Sequence, residues 1–128
     1  DLRNTDAEIL RVARVRLAAA IEQIAADEQV TITGKVTADF DPVAFDDRVI
    51  DLVEATARHL GNSVRRMPSG AGHDAQMLAR VCPTAMVFVP SVKGLSHNVA
   101  EYTAPDDLVA GADVLLQTLL ALDSMEFA

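Results

Sequence analysis

The chain is poor in aromatic residues: Trp is absent, and Phe, Tyr and Trp together make up 4% of 128 residues. That argues against a surface that stacks sugars or bases, where aromatic faces supply the contact. Basic charge is short as well, with 11 Lys and Arg against 19 Asp and Glu and a net charge of -8. Phosphate polymers and anionic headgroups would be repelled, so no nucleic acid and no membrane is expected as a partner. A single cysteine, Cys82, cannot close an internal disulfide, and a reducing cytoplasm is the expected compartment. No apolar run nears the roughly 20 residues that cross a bilayer. What the chain does have is apolar bulk, 50% of its residues, enough for a core in one domain-sized length. It opens on Asp1 rather than Met, and Asp-Leu-Arg-Asn reads as a strand end. We therefore expect the sequence to start inside a fold and to be part of something longer.

Local patterns give the expected order of elements. Thr5-Asp6-Ala7-Glu8 reads as a capping box with the Thr5 hydroxyl at the cap. Leu10, Ala13, Leu17, Ile21 and Ile24 then mark one helix face running to about Asp27. Residues 30–36 alternate and are β-branched, as in a strand with one wet face. Asp41-Pro42 breaks the pattern. A helix is predicted over 46–60, with Val49, Leu52, Val53, Thr56 and Leu60 on one face and Gly61 at its C-terminal stop. A short strand over 63–67, a short helix over 74–81 and a buried strand over 85–89 follow. The last helix is expected to be capped by Thr103 and Asp106, with Leu108, Ala112, Leu115 and Leu119 as its stripe. This alternation predicts an α/β fold, a sheet covered by helices, in two pieces: 1–41 and 42–128.

Two loops follow predicted strands, where open α/β sheets bind ligands. The first, residues 69–74, holds Gly70, Gly72 and His73. Glycines allow close backbone approach, and His73 there is placed to donate to developing negative charge. A plain strand-to-helix turn capped by Asp74, with His73 merely exposed, explains the same spacing. The second loop, residues 94–101, holds His97, a possible metal ligand that Glu101 would orient from behind. A loop histidine bonded to backbone is the ordinary alternative. His59 fits the C-terminal end of a helix dipole, and Cys82 reads as a small buried hydrophobe. Arg3 offers a fork for a carboxylate but also reads as ordinary surface charge. Arg65 and Arg66 read as solvated or paired with nearby acids. No His or Cys pair has the short spacing of a structural zinc site.

Three motifs occur in one order: Ser-Gly-Ala-Gly-His-Asp-Ala-Gln (69–76), Met-Val-Phe-Val-Pro-Ser (86–91), and Gly-Leu-Ser-His-Asn with Ala-Glu-Tyr (94–102). Together they closely resemble the C-terminal part of the zinc-dependent amidase/hydantoinase/carbamoylase family, an amidohydrolase branch of the M20 metallopeptidases. That family includes N-carbamoyl-L-amino-acid hydrolases, allantoate amidohydrolases and β-ureidopropionases. The opening Asp-Leu-Arg resembles the family's Asp-x-Arg strand. The resemblance implies that residues 1–41 are the second half of a small α+β lid that also dimerises, and that 42–128 complete an M20-type catalytic domain. It implies His97 as the last metal ligand of a two-metal site, holding zinc or manganese, with cobalt or nickel possible. It implies His73 as the residue that binds and polarises the scissile group, Gly72 as a backbone contact, and Arg3 as the grip on the substrate carboxylate. Lid closure would bring Arg3 toward the metals. The implied substrate is a ureido acid, an N-carbamoyl-L-amino acid or allantoate. Val99 stands where many relatives have Pro, which alters loop stiffness rather than ligand chemistry. The family's other metal ligands and its glutamate base have no counterpart here, so the chain alone is expected to be inactive. A reading of another class remains beside it, a non-catalytic α/β module that keeps only a dimerising surface.

Overall fold

The computed structural model describes residues 1–125. Among these residues the regular elements are four helices, α1 (Ala7–Asp27), α2 (Asp47–His59), α3 (Ala75–Leu78) and α4 (Pro105–Asp123), and a 3-10 turn at Val92–Gly94. No strand forms among the described residues, which corrects the expectation of a sheet. A strand requires a neighbour to take its N–H and C=O groups. Residues 31–36, 63–67 and 85–89 make no main-chain hydrogen bond among the described residues. Alternation and β-branching favour an extended backbone but supply no partner. No helix among the described residues is long and apolar enough to cross a membrane.

The chain divides into two compact units, Asp1–Val43 and Ala44–Ala128. In the first, α1 is capped by Asp6 and not by Thr5. The Asp6 carboxylate accepts from the Glu8 N–H at 2.8 Å and the Ile9 N–H at 3.0 Å. The box does not close, because the Glu8 carboxylate is taken by Arg11 at 2.5 Å. At the other end Gln29 adopts a positive φ of 53°. The Val30 N–H then reaches back to the Ala25 carbonyl at 3.0 Å and stops the helix. Leu10 is buried, whereas Leu17 and Ile24 on the expected inner face are about half exposed. Arg14 forms ion pairs with Asp39 and, at 3.8 Å, with Asp41, tying the segment after α1 back to it.

In the second unit α2 forms close to its expected span, but of its expected face Leu60 is exposed, and Ala57 is buried beside Val49. Asp46 accepts from the Arg48 N–H at 2.9 Å and the Val49 N–H at 3.4 Å. Gly61, at φ 79°, ends the helix as the Gly61 and Asn62 N–H groups bond the Arg58 and Ala57 carbonyls. Val49 and Ala57 are buried where α2 packs on α4, whose buried residues are Val114 and Thr118. The expected α4 stripe lies elsewhere: Leu108, Leu115 and Leu119 are each about half exposed. The helix is apolar on both sides, so periodicity alone does not say which side α2 covers. Nor do Thr103 and Asp106 cap it; Ala104 holds the cap position without a side-chain bond, and Pro105 starts the helix with its preset φ.

Two contacts fix the irregular segments. Arg66 bonds Asp51 at 2.6 Å and Glu54 at 2.5 Å, and Arg58 joins Glu54 at 2.6 Å, which straps residues 63–67 to α2. Residues 85–89 lie against α4, where a Cβ on Gly111 would fall 2.3 Å from Val89 Cγ1. The accessible surface is 10,140 Å², whereas two separate compact bodies of these lengths would expose about 7,900 Å². Much of the apolar face of α1 and α4 contributes to that difference.

Candidate functional site

The loop at 69–76 is tied down by its own polar groups. The Ser69 hydroxyl donates to the Ala71 carbonyl at 3.2 Å and accepts the Ala71 N–H at 3.4 Å. Asp74, expected as the cap of α3, makes no capping bond. His73 takes that place: its Nδ1 accepts the Ala75 N–H at 3.0 Å, and Ala75 is buried beneath the loop. In a neutral imidazole an accepting Nδ1 leaves the proton on Nε2. The exposed His73 ring therefore presents an N–H donor. The Gln76 amide oxygen, which the sequence did not single out, accepts the His73 N–H at 3.4 Å. Gly72 is exposed, and a Cβ there would meet only Gln76 Oε1 at 3.8 Å. Nothing in the described chain requires glycine at 72, so a need for it would come from a ligand approaching the backbone.

The second loop closes on itself between Val92 and Tyr102, whose N–H and C=O meet at 2.8 Å. The Ser91 hydroxyl donates to the Leu95 carbonyl. Asn98 gathers the far side, its carbonyl accepting the Glu101 N–H and its Oδ1 the Ala100 N–H, both at 2.9 Å. His97 stands at the exposed edge with φ 55°, and its N–H donates to Glu101 Oε2 at 2.8 Å. Glu101 was expected behind the imidazole; it holds the backbone of His97 instead. The His97 ring has no hydrogen-bond partner among the described residues and is free to act as a donor atom for an ion.

The other candidates resolve differently. Arg3, in the first unit, is exposed and pairs with Asp1 at 2.5 Å. His59 is exposed at the end of α2 and lines a depression of ≈ 390 Å³ with Ala55, Thr56, Leu60 and Gln117. Cys82 is exposed, not buried as expected; its thiol lies 3.4 Å from the Leu78 carbonyl and 3.7 Å from the Thr84 hydroxyl. A smaller depression of ≈ 210 Å³ lies beside it, lined by residues that include Asp46 and Thr84. Neither depression is lined by Gly72, His73 or His97. No hydrogen bond joins His73 to His97, and no group of three His, Cys, Asp or Glu able to hold a metal comes together among the described residues. Among the described residues His97 thus offers a single imidazole to an ion, and the further donors that a metal site needs are not gathered around it.

The family model described as Peptidase family M20/M25/M40 matches residues 8–121. An N-carbamoyl-L-amino-acid amidohydrolase of Rhizobium meliloti is 40% identical over 120 residues, covering 94% of this chain and 29% of the relative. An allantoate amidohydrolase of Escherichia coli K12 is 35% identical over 122 residues, covering 95% of this chain and 30% of the relative. Among solved structures, a hydantoinase/carbamoylase family amidase from Burkholderia multivorans superimposes with a TM-score of 0.84 at 40% identity. That match covers 93% of this chain and 29% of the other. The chain spans about three tenths of the length of these relatives.

Proposed function

Because the chain belongs to peptidase family M20/M25/M40, we propose that it forms part of a metal-dependent amidohydrolase that cleaves N-carbamoyl-L-amino acids. One molecule of water is consumed, and the amino acid, carbon dioxide and ammonia leave. The observation that carries this reading is the 69–76 loop. It sets an imidazole N–H donor beside an exposed glycine backbone in a chain 40% identical to an enzyme named for that substrate.

Each residue takes a role suited to its chemistry. His73, through Nε2–H, and the backbone near Gly72 donate to the oxygen of the ureido carbonyl as charge develops on it, an electrostatic stabilisation fixed before the reaction begins. The Nδ1 bond to Ala75 keeps the donor nitrogen in place. Arg3 grips the substrate carboxylate, which orients the carbonyl for attack. His97 would hold one ion of a divalent-metal pair, zinc or manganese, through its imidazole, and the remaining donors and the proton acceptor would have to come from polypeptide outside these 128 residues. When bound, such a pair supplies activation of water near neutral pH. We further propose that the unit Asp1–Val43 is the dimerising lid and that the enzyme works in the cytoplasm, where an exposed thiol such as Cys82 stays reduced.

Allantoate is the second substrate to test, since it too is a ureido acid and the Escherichia coli relative is named for it. The experiment measures ammonia release by the native protein from an N-carbamoyl-L-amino acid, from allantoate, and from a carbamoyl amine lacking the carboxylate. We expect the carboxylates to be favoured and Arg3→Ala to lose about 100-fold or more in kcat/KM on them alone. Equal rates on the acid and the carboxylate-free amine would contradict the role of Arg3. No ammonia from any ureido acid would contradict the function.

A further inference from the structure

We propose that Glu101 is the positioning residue of His97: its carboxylate holds the His97 backbone in the left-handed region and so fixes the direction in which the imidazole leaves the loop. The consequence for metal binding rests on the ligand role proposed for His97; the hold on the backbone does not.

Among the described residues, three besides glycine have positive φ: Gln29, Lys93 and His97. Gln29 is explained by the end of α1, and Lys93 lies within the 3-10 turn beside Gly94. His97 lies in no helix end. A histidine in this region is disfavoured by its Cβ, and such residues persist only where their surroundings over-determine them. At His97 the over-determining group is identifiable, because its N–H meets a carboxylate at 2.8 Å. A bond between an N–H and an ionised acceptor is stronger than the neutral kind.

Glu101 can serve as an anchor because it is itself held. Its N–H donates to the Asn98 carbonyl at 2.9 Å, and the next residue, Tyr102, closes the loop through Val92 at 2.8 Å. The Asn98 side chain fixes the Ala100 N–H at 2.9 Å between them. The His97 ring, by contrast, has no hydrogen-bond partner among the described residues. Its aim is therefore set by the main chain, and the main chain is set by Glu101. Metal-binding histidines are usually oriented by a partner on the second ring nitrogen; here the control acts one step further back.

The test uses the isotope-labelled native protein and three variants, Glu101→Ala, Glu101→Asp and Glu101→Gln. The readouts are the His97 amide exchange rate, its HN–Hα coupling, and its Cα and Cβ shifts. Exchange at His97 is expected to speed up about tenfold or more in Glu101→Ala as local opening becomes easier, with the coupling and shifts leaving left-handed values. Glu101→Asp keeps the charge but loses the reach and should behave like Ala. Glu101→Gln keeps an acceptor at the same reach and should stay near wild type. Helix content by circular dichroism should be equal in all four; where Ala alone loses it, the Asp–Gln contrast decides. His97 signals unchanged in Asp, or equally changed in Asp and Gln, would overturn the proposal.

In the native protein, equilibrium dialysis should show metal affinity about 10–100-fold weaker in Glu101→Ala and largely kept in Glu101→Gln. Metal lost on His97→Ala but unaffected in Glu101→Ala would remove the positioning role alone. Metal unaffected by His97→Ala would remove the ligand role, while the resonance experiment would still decide the loop.

Discussion

Gly111 offers a sharp test of how α4 packs, because two well-calibrated effects oppose each other there. In an exposed helix interior, Gly→Ala stabilises by about 0.8–1.0 kcal/mol through helix propensity. At Gly111 the new Cβ would stand 2.3 Å from Val89 Cγ1, well inside van der Waals contact. Valine is stiff at χ1, so its methyl cannot step aside freely. Overpacking of this kind costs about 1–3 kcal/mol, which outweighs the propensity gain and predicts a net loss of about 1 kcal/mol. The control is Val89→Ala, which removes Cγ1 and leaves Val89 Cβ at an ordinary 3.8 Å. In that background Gly111→Ala should become stabilising by about 1 kcal/mol, a coupling of about 2 kcal/mol between the sites. Urea unfolding followed at 222 nm in the four proteins completes the cycle. Equal stabilisation by Gly111→Ala in both backgrounds would show that residues 85–89 do not lie on α4.

Two further outcomes follow from the loops and the surface charges. Gly72→Ala should leave stability within about 0.5 kcal/mol, since a Cβ there meets only Gln76 Oε1 at 3.8 Å. It should nonetheless lower kcat/KM in the native protein by tenfold or more, about 1.4 kcal/mol; an unchanged kcat/KM would remove the backbone near Gly72 from the site. Guanidinium hydrogen bonds from Arg58 and then Arg66 hold the Glu54 carboxyl below its ordinary value of 4.5. With the folded value depressed, the contribution is present above pH 4.5 and is lost as pH falls through the lower folded value. Acid titration of the wild type should therefore release residues 63–67 below that pH, earlier at high salt, because Arg58 and Arg66 are exposed. Glu54→Gln should flatten the dependence, and an identical acid profile in wild type and variant would dismiss the strap.

Where short-range chemistry decides, the sequence was readable. Asp46 before Arg48 and Val49, and Gly61 after His59, set both ends of α2 because caps and a positive φ are properties of a few adjacent residues. Where two groups compete locally, spacing alone points to the wrong one. Asp6 takes the cap from Thr5, and the His73 imidazole, not Asp74, accepts the first N–H of α3. Where a distant partner decides, the pattern was mute. Residues 30–36 and 85–89 have strand composition, but a ladder requires a neighbour and none forms among the described residues. Helix α4 carries leucines on both sides, so its inner face became visible only through Val114, Thr118 and the Gly111–Val89 contact. The loops bearing His73 and His97 were legible from glycine and histidine spacing. The Nδ1 bond to Ala75 and the hold of Glu101 on the His97 N–H were not, because neither leaves a periodic trace.

The imidazole at position 97 carries the proposed metal dependence. Metal analysis of the native protein carrying His97→Ala, beside wild type, tests it most directly. We expect at least one bound divalent ion per active site to be lost, together with ureido-acid hydrolysis. Full metal content with an undiminished rate would contradict the account.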